Sequence, residues 1–188
     1  MSKVLIFKSI SWVTIISCSA QVIPVEKHQY YIDNQIDFSS TTYFKDVNGV
    51  LDKFVGTWKG TVNSKNYELR FFKNTLSYKG FKKDEILGRY KITSSNGTVI
   101  ENTLSLQKDN PLILASGYVD PKNTKGYVFY YLGREDNCGQ NGELFTYIYE
   151  NDNNKMQMVL VVSGENLDCT GAFAQQVFPV NFMDLTKQ

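Results

Sequence analysis

From Phe54 onward the sequence breaks into short runs of alternating apolar and polar residues, each closed by turn-forming residues. The runs fall at 54–63, 66–78, 85–94, 98–107, 112–119, 126–134, 143–150, 155–163 and 173–182. Between them stand SSNG (94–97), KDNP (108–111), DPKNTKG (120–126) and NDNN (151–154), which supply the Asn-Gly, Pro and Asn-rich positions of tight turns. No long helical period interrupts the series. The pattern predicts an all-β fold, an antiparallel up-and-down meander of eight to ten strands that closes as a barrel or sandwich.

Composition agrees. Twelve Tyr, twelve Phe and two Trp favour half-buried sheet surfaces. With 188 residues, 42% hydrophobic, one domain buries its own core with little left for a second. The net charge of +1 is scattered, so no basic face for nucleic acid and no acidic tail for a basic partner is visible.

The first twenty residues have Lys3 and Lys8, an apolar stretch at 10–16 and small residues through Ala20. This is the layout of a secretory signal (1–20), with an apolar run too short to span a bilayer permanently. Two exits are open. Cleavage after Ala20 discards Cys18, whereas Ile15-Ile16-Ser17-Cys18 resembles the lipobox of bacterial lipoproteins, with a signal at 1–17 and a lipid on Cys18. Membrane contact is expected only through that anchor. Either exit leaves Cys138 and Cys169 as an even pair in an oxidising compartment, where a disulfide is expected and two free thiols are the alternative.

Residues 21–45 lack sustained periodicity and read as an extended leader ahead of a domain at 46–188. Asp46, followed by Val47, Val50, Leu51 and Phe54, predicts one or two helical turns entering the first strand, although Gly49 opposes them. In 66–78 the apolar parity changes between Tyr67-Leu69-Phe71 and Leu76-Tyr78, which calls for a bulge or break. The runs YVFYYL, LFTYIY and MQMVLVV are apolar on both parities, so their outer face is covered by the leader or by a partner; the leader is the expectation.

The first run carries Phe54, Gly56, Trp58 and Gly60 on one parity. This FVGTWKG stretch resembles the G-x-W first strand of the lipocalins and the F-x-G-T-W start of the fatty-acid-binding proteins, both calycin-type barrels. No room exists for the helical pair of the fatty-acid-binding proteins, and the lipocalins' terminal helix is missing. The chain also looks like small, uncharacterised exported proteins of Bacteroidetes-type bacteria that carry a GTW motif.

The resemblance implies a lipocalin-like barrel with a short N-terminal helix at its base. Trp58 then packs near the closed base, and the glycines admit a neighbouring strand and the capping helix. In such a meander the loops holding Cys138 and Cys169 share the base, while the turns near 64–65, 96–97, 121–125 and 152–154 form the mouth. Tyr67, Tyr90, Tyr118, Tyr131 and Tyr147 are the candidate ligand-lining residues, with apolar walls and hydroxyls to orient a ligand. A filled interior is the alternative.

Catalytic signatures are missing from the sequence. His28, the single histidine, lies in the leader, and no G-x-S-x-G, phosphate loop or H-E-x-x-H occurs. Asp84-Glu85 and Glu135-Asp136 read as solvated turn acids, and EDNCGQNGE (135–143) lacks the order of a calcium loop. The expectation is an exported protein without enzymatic activity, cofactor or metal. It either binds a small apolar or amphipathic ligand in the barrel, or is filled and acts as an interaction or inhibitory module in the cell envelope.

Overall fold

The structure, a computed structural model, describes residues 21–163, 169 and 174–188. The signal region and Cys18 lie outside the described residues, as does Phe173 of the last predicted strand. In chain order the elements are β1 (Val22–Pro24), a 3-10 turn (Val25–Lys27), α1 (His28–Asp33), β2 (Tyr43–Lys45), β3 (Gly56–Val62), β4 (Lys65–Tyr78), β5 (Phe81–Ser94) and β6 (Val99–Asn102). Then follow β7 (Ala115–Val119), β8 (Gly126–Leu132), β9 (Asn141–Tyr149), β10 (Asp152–Val162) and β11 (Met183–Lys187). All strands join one sheet in the order β1-β2-β5-β4-β3-β11-β10-β9-β8-β7, with β6 also on β5.

The sheet curls strongly into an open half-barrel rather than a closed barrel, and it is mixed rather than purely antiparallel. The parallel pairs come from the leader: β1 runs parallel to β2, and β2 parallel to β5. These pairings also account for the missing closure. Three short segments share the outer edge of β5: β2 at Lys82 and Lys83, Leu114 at Gly88, and β6 at Lys91 to Thr93. With the edge satisfied piecewise, β7 approaches β5 through one isolated bridge, in which Gly88 and Leu114 exchange hydrogen bonds of 3.0 and 2.8 Å.

The runs expected at 98–107 and 112–119 follow a single line along β5. Thr103 hydrogen-bonds Tyr90 and Leu114 bridges Gly88, with residues 104–113 leaving the sheet between them. Strand directions downstream shift accordingly. The turns at 63–64 and 95–97 therefore share an end with the Cys138 and Cys169 loops, while residues 120–125 and 150–151 lie at the other end. The expected four-turn mouth does not assemble. The disulfide does: Cys138 and Cys169 are bonded, with Cα atoms 5.0 Å apart.

The Gly-Trp motif packs as its spacing requires. Trp58 is fully buried and its indole N–H donates to the Phe54 carbonyl at 2.7 Å. A Cβ on Gly60 would collide with the Asp184 carbonyl, so the glycine is what lets β11 lie against β3. Lys187 crosses Gly56, places its ammonium 5.3 Å from the Trp58 ring and donates to the Lys53 carbonyl.

Residues 46–54 form turns instead of the predicted helix, with Gly49 at φ 63° breaking the helical path. Leu51 and Phe54 are nonetheless fully buried. The helix lies in the leader, where His28, Tyr31, Phe38, Phe44 and Phe81 form an aromatic cluster with centroid spacings of 4.9 to 6.4 Å. That cluster places the leader against β5 and β7. It leaves the outer face of β8 to β10 uncovered, with Tyr130, Leu132 and Val161 exposed.

Two strand readings change. β4 and β5 pair without a bulge from Lys65–Ser94 to Tyr78–Phe81, so Leu76 and Tyr78 stay on the opposite face and are exposed. The final strand is Met183–Lys187 rather than 173–182, because Phe178 leaves the sheet plane and Pro179 has no N–H for a ladder.

Candidate functional site: the aromatic interior

On β4 the inward parity is Tyr67, Leu69 and Phe71; on β5 it is Ile86, Gly88, Tyr90 and Ile92; on β8, Tyr127, Phe129 and Tyr131. Three of the five candidate tyrosines, Tyr67, Tyr90 and Tyr131, thus meet in the concave side of the sheet. What they enclose is Phe178. Its ring lies 4.8 Å from Tyr90, 5.1 Å from Tyr131 and 6.2 Å from Tyr67, edge-on to the first two and stacked on the third. Below it Phe71 stacks on Phe129 at 4.6 Å.

The segment carrying Phe178 is pinned by backbone bonds. Leu160 N–H donates to the Pro179 carbonyl at 2.8 Å, and the Tyr67 hydroxyl donates to the Val177 carbonyl at 3.0 Å. The Tyr131 hydroxyl is buried with no partner. Burial pushes the Tyr67 phenol up to about 12 and those of Tyr90 and Tyr131 higher still. All three are neutral at physiological pH, so this interior presents no phenolate base or nucleophile.

Tyr118 and Tyr147 do not join them. Tyr147 has outward parity on β9 and its ring rests against Gly126. Tyr118 follows an irregularity between Ser116 and Tyr118 and lines a void of about 10 Å³ with Val25, His28, Lys83 and Tyr127, room for no more than one water. Larger spaces are open clefts on the outside, such as one of about 570 Å³ beside Tyr149, Asp152, Lys155 and Asp184.

The polar groups at the leader contact are structural in their geometry. Lys83 is buried, donates to the Gly117 carbonyl at 3.1 Å and lies 4.0 Å from Glu85; burial depresses its pKa and Glu85 opposes that shift. Glu85 also accepts from Asn74, and Asp84 accepts from the Tyr43 and Thr75 hydroxyls and the Asp46 N–H. Asp84 and Glu85 are therefore strand residues with fixed partners, not solvated turn acids. Glu135 and Asp136 do lie in a turn. His28 sits against Phe44 with its Nδ1 unpartnered, and burial together with Lys83 lowers its pKa to about 4. Among the described residues no group of three His, Cys, Asp or Glu side chains converges as a metal site.

Phe178 is the interior residue that strand reading missed. The following Pro179, inside an apolar run, was the available sign that the segment could not continue a central strand.

The profile of a family of unknown function, DUF6705, matches residues 1–182. The chain belongs to that family. No curated protein and no solved structure matches this DUF6705 member. The curled half-barrel is compatible with a calycin-like fold. Among the described residues no helix is long and apolar enough to cross a membrane, and the disulfide fits a non-cytosolic setting.

Proposed function

We propose that this DUF6705 protein is an exported, non-enzymatic, lipocalin-like domain of the cell envelope that works as a filled interaction module rather than a carrier. The supporting observation is Phe178, which takes the place a ligand would need between Tyr67, Tyr90 and Tyr131. Export rests on the layout of residues 1–20, with Cys18 as the acylation site, and on the Cys138–Cys169 bond. The binding surface is the uncovered apolar face of β8 to β10, where Tyr130 pairs with Glu143 and Glu143 with Val161 across three strands.

A carrier reading has one observation in its favour, the unpartnered Tyr131 hydroxyl beside Phe178, which an amphipathic ligand's polar end could engage. Titration with a fluorescent fatty-acid probe separates the two. The module reading expects no saturable binding to the wild-type protein and binding only when Phe178→Ala opens the interior. Saturable binding to wild type, abolished by Tyr131→Phe, contradicts it.

A further inference from the structure

The register of the leader brings the amino end of the domain beside the tip of the β4–β5 hairpin. Tyr43 N–H donates to the Gln21 carbonyl at 2.8 Å, Lys82 N–H to the Thr42 carbonyl at 3.0 Å, and Tyr78 pairs with Phe81. Gln21, Thr42, Phe81 and Tyr78 therefore stand level on four adjacent strands, which spans about 15 Å. Only Ser19 and Ala20 separate Gln21 from Cys18, a reach of about 10 Å when extended.

The tip is built unlike an ordinary solvated turn. β3 ends its pairing with β4 at Phe71, so seven residues of β4, 72–78, run on with β5 about 20 Å past the end of β3, flanked by the leader and by the Asp46–Asp52 turns. The turn itself, Lys79–Gly80, has φ of 47° and 90°, the primed geometry that keeps a long hairpin straight and narrow. At its end Tyr78 is 62% exposed and Leu76 41%, on the same face as Phe81. Lys79 lies over the Tyr78 ring at 5.2 Å, and Lys45 and Lys82 each approach the Tyr43 ring at 5.9 Å. Lys45, Lys82 and Tyr43 lie on the opposite face of the sheet from Leu76 and Tyr78. The tip thus offers an exposed Tyr and Leu with Lys79 at the turn beside them and lysines on its other face, a composition suited to a bilayer interface.

We infer that the tip of this hairpin, residues 76–82, is a lipid-contacting surface that seats the domain on the bilayer to which Cys18 tethers it, with the half-barrel held away from the membrane. This rests on the export reading above, and not on whether the interior is filled. The hairpin carries the contact, and the β8–β10 face stays free for a partner.

The test uses the full chain, exported and processed in a Gram-negative host and reconstituted into phosphatidylethanolamine/phosphatidylglycerol vesicles. Ser77→Cys at the tip and Ser95→Cys at the far end each give one free thiol for an environment-sensitive fluorophore. The expected result is blue-shifted emission at position 77, quenched by spin-labelled lipid and little changed by salt, with neither effect at 95. Leu76→Ser with Tyr78→Ser, both exposed, is expected to abolish the shift without moving the unfolding midpoint. Equal, unquenched emission at 77 and 95 overturns the inference. The mass of the same protein reports on the anchor: if Cys18 is absent, the anchor reading fails. The labelled chain added to vesicles then decides the tip alone, quenching at 77 sustaining the contact and its absence overturning it.

Discussion

The Phe178 ring meets Tyr90 edge-on, with centroids 4.8 Å apart and planes at 63°. A side chain from outside the regular sheet thus completes the aromatic core, and the interior depends on it. Phe178→Ala is expected to lower the unfolding free energy by about 3–5 kcal/mol, the usual cost of deleting a buried aromatic ring and leaving a cavity. Denaturant titration measures it. A loss under about 1 kcal/mol contradicts the packing described.

Gly60 has no room for a side chain, because the obstacle is the Asp184 backbone. Gly60→Ala must push β11 off β3 and is expected to cost at least about 1–3 kcal/mol. Thermal unfolding should show a midpoint several degrees lower, whereas Gly97→Ala, where nothing lies within 4 Å, tests the positive φ of a turn alone.

These two sites show what the sequence made legible. Alternation in 54–63, 66–78 and 85–94 located β3, β4 and β5, because a sheet with one buried face writes its period directly into the chain. Cys138 and Cys169 were readable as a pair from their number and compartment. Three things were not readable. The leader's strands are three residues long and held by parallel pairing to distant partners, so they carry no period of their own. Runs 98–107 and 112–119 looked like two strands because the excursion between them is visible only once both are laid along β5. Tyr118 and Tyr147 do not face the interior because an irregularity between Ser116 and Tyr118 shifts the parity of β7, and because LFTYIY is apolar on both parities and so does not mark which side of β9 is buried.

The Cys138–Cys169 bond closes a loop with a sequence separation of 31. Reduction, or Cys138→Ser with Cys169→Ser, is expected to remove about 3–4 kcal/mol by freeing the unfolded chain. Equilibrium unfolding with and without reductant measures this. The segment holding Phe178 lies just beyond Cys169, so a weakened Phe178 contact should accompany the loss, seen as faster amide exchange at Leu160.

His28 gives the protein a pH dependence of definite sign. Its folded pKa is about 4 and its unfolded value 6.5, since burial and Lys83 disfavour the imidazolium. The unfolded chain takes up the proton first as pH falls, so this contribution is complete above pH 6.5 and is lost progressively toward pH 4. The titratable groups facing His28 are Lys83 and, across the small void, Asp84, Tyr118 and Tyr127. Unfolding midpoints measured between pH 7 and 4.5 should fall for wild type and fall less for His28→Gln. Parallel curves contradict the assignment.

The central claim is that the interior is occupied by the chain itself. Native mass spectrometry of the exported, processed protein, purified without extracting lipid, tests it most directly. The account predicts a mass equal to the processed chain and any covalent acyl group, two hydrogens lighter than the reduced form, with no non-covalent companion. A reproducible extra mass that departs on denaturation would show a cargo where Phe178 is placed, and would contradict it.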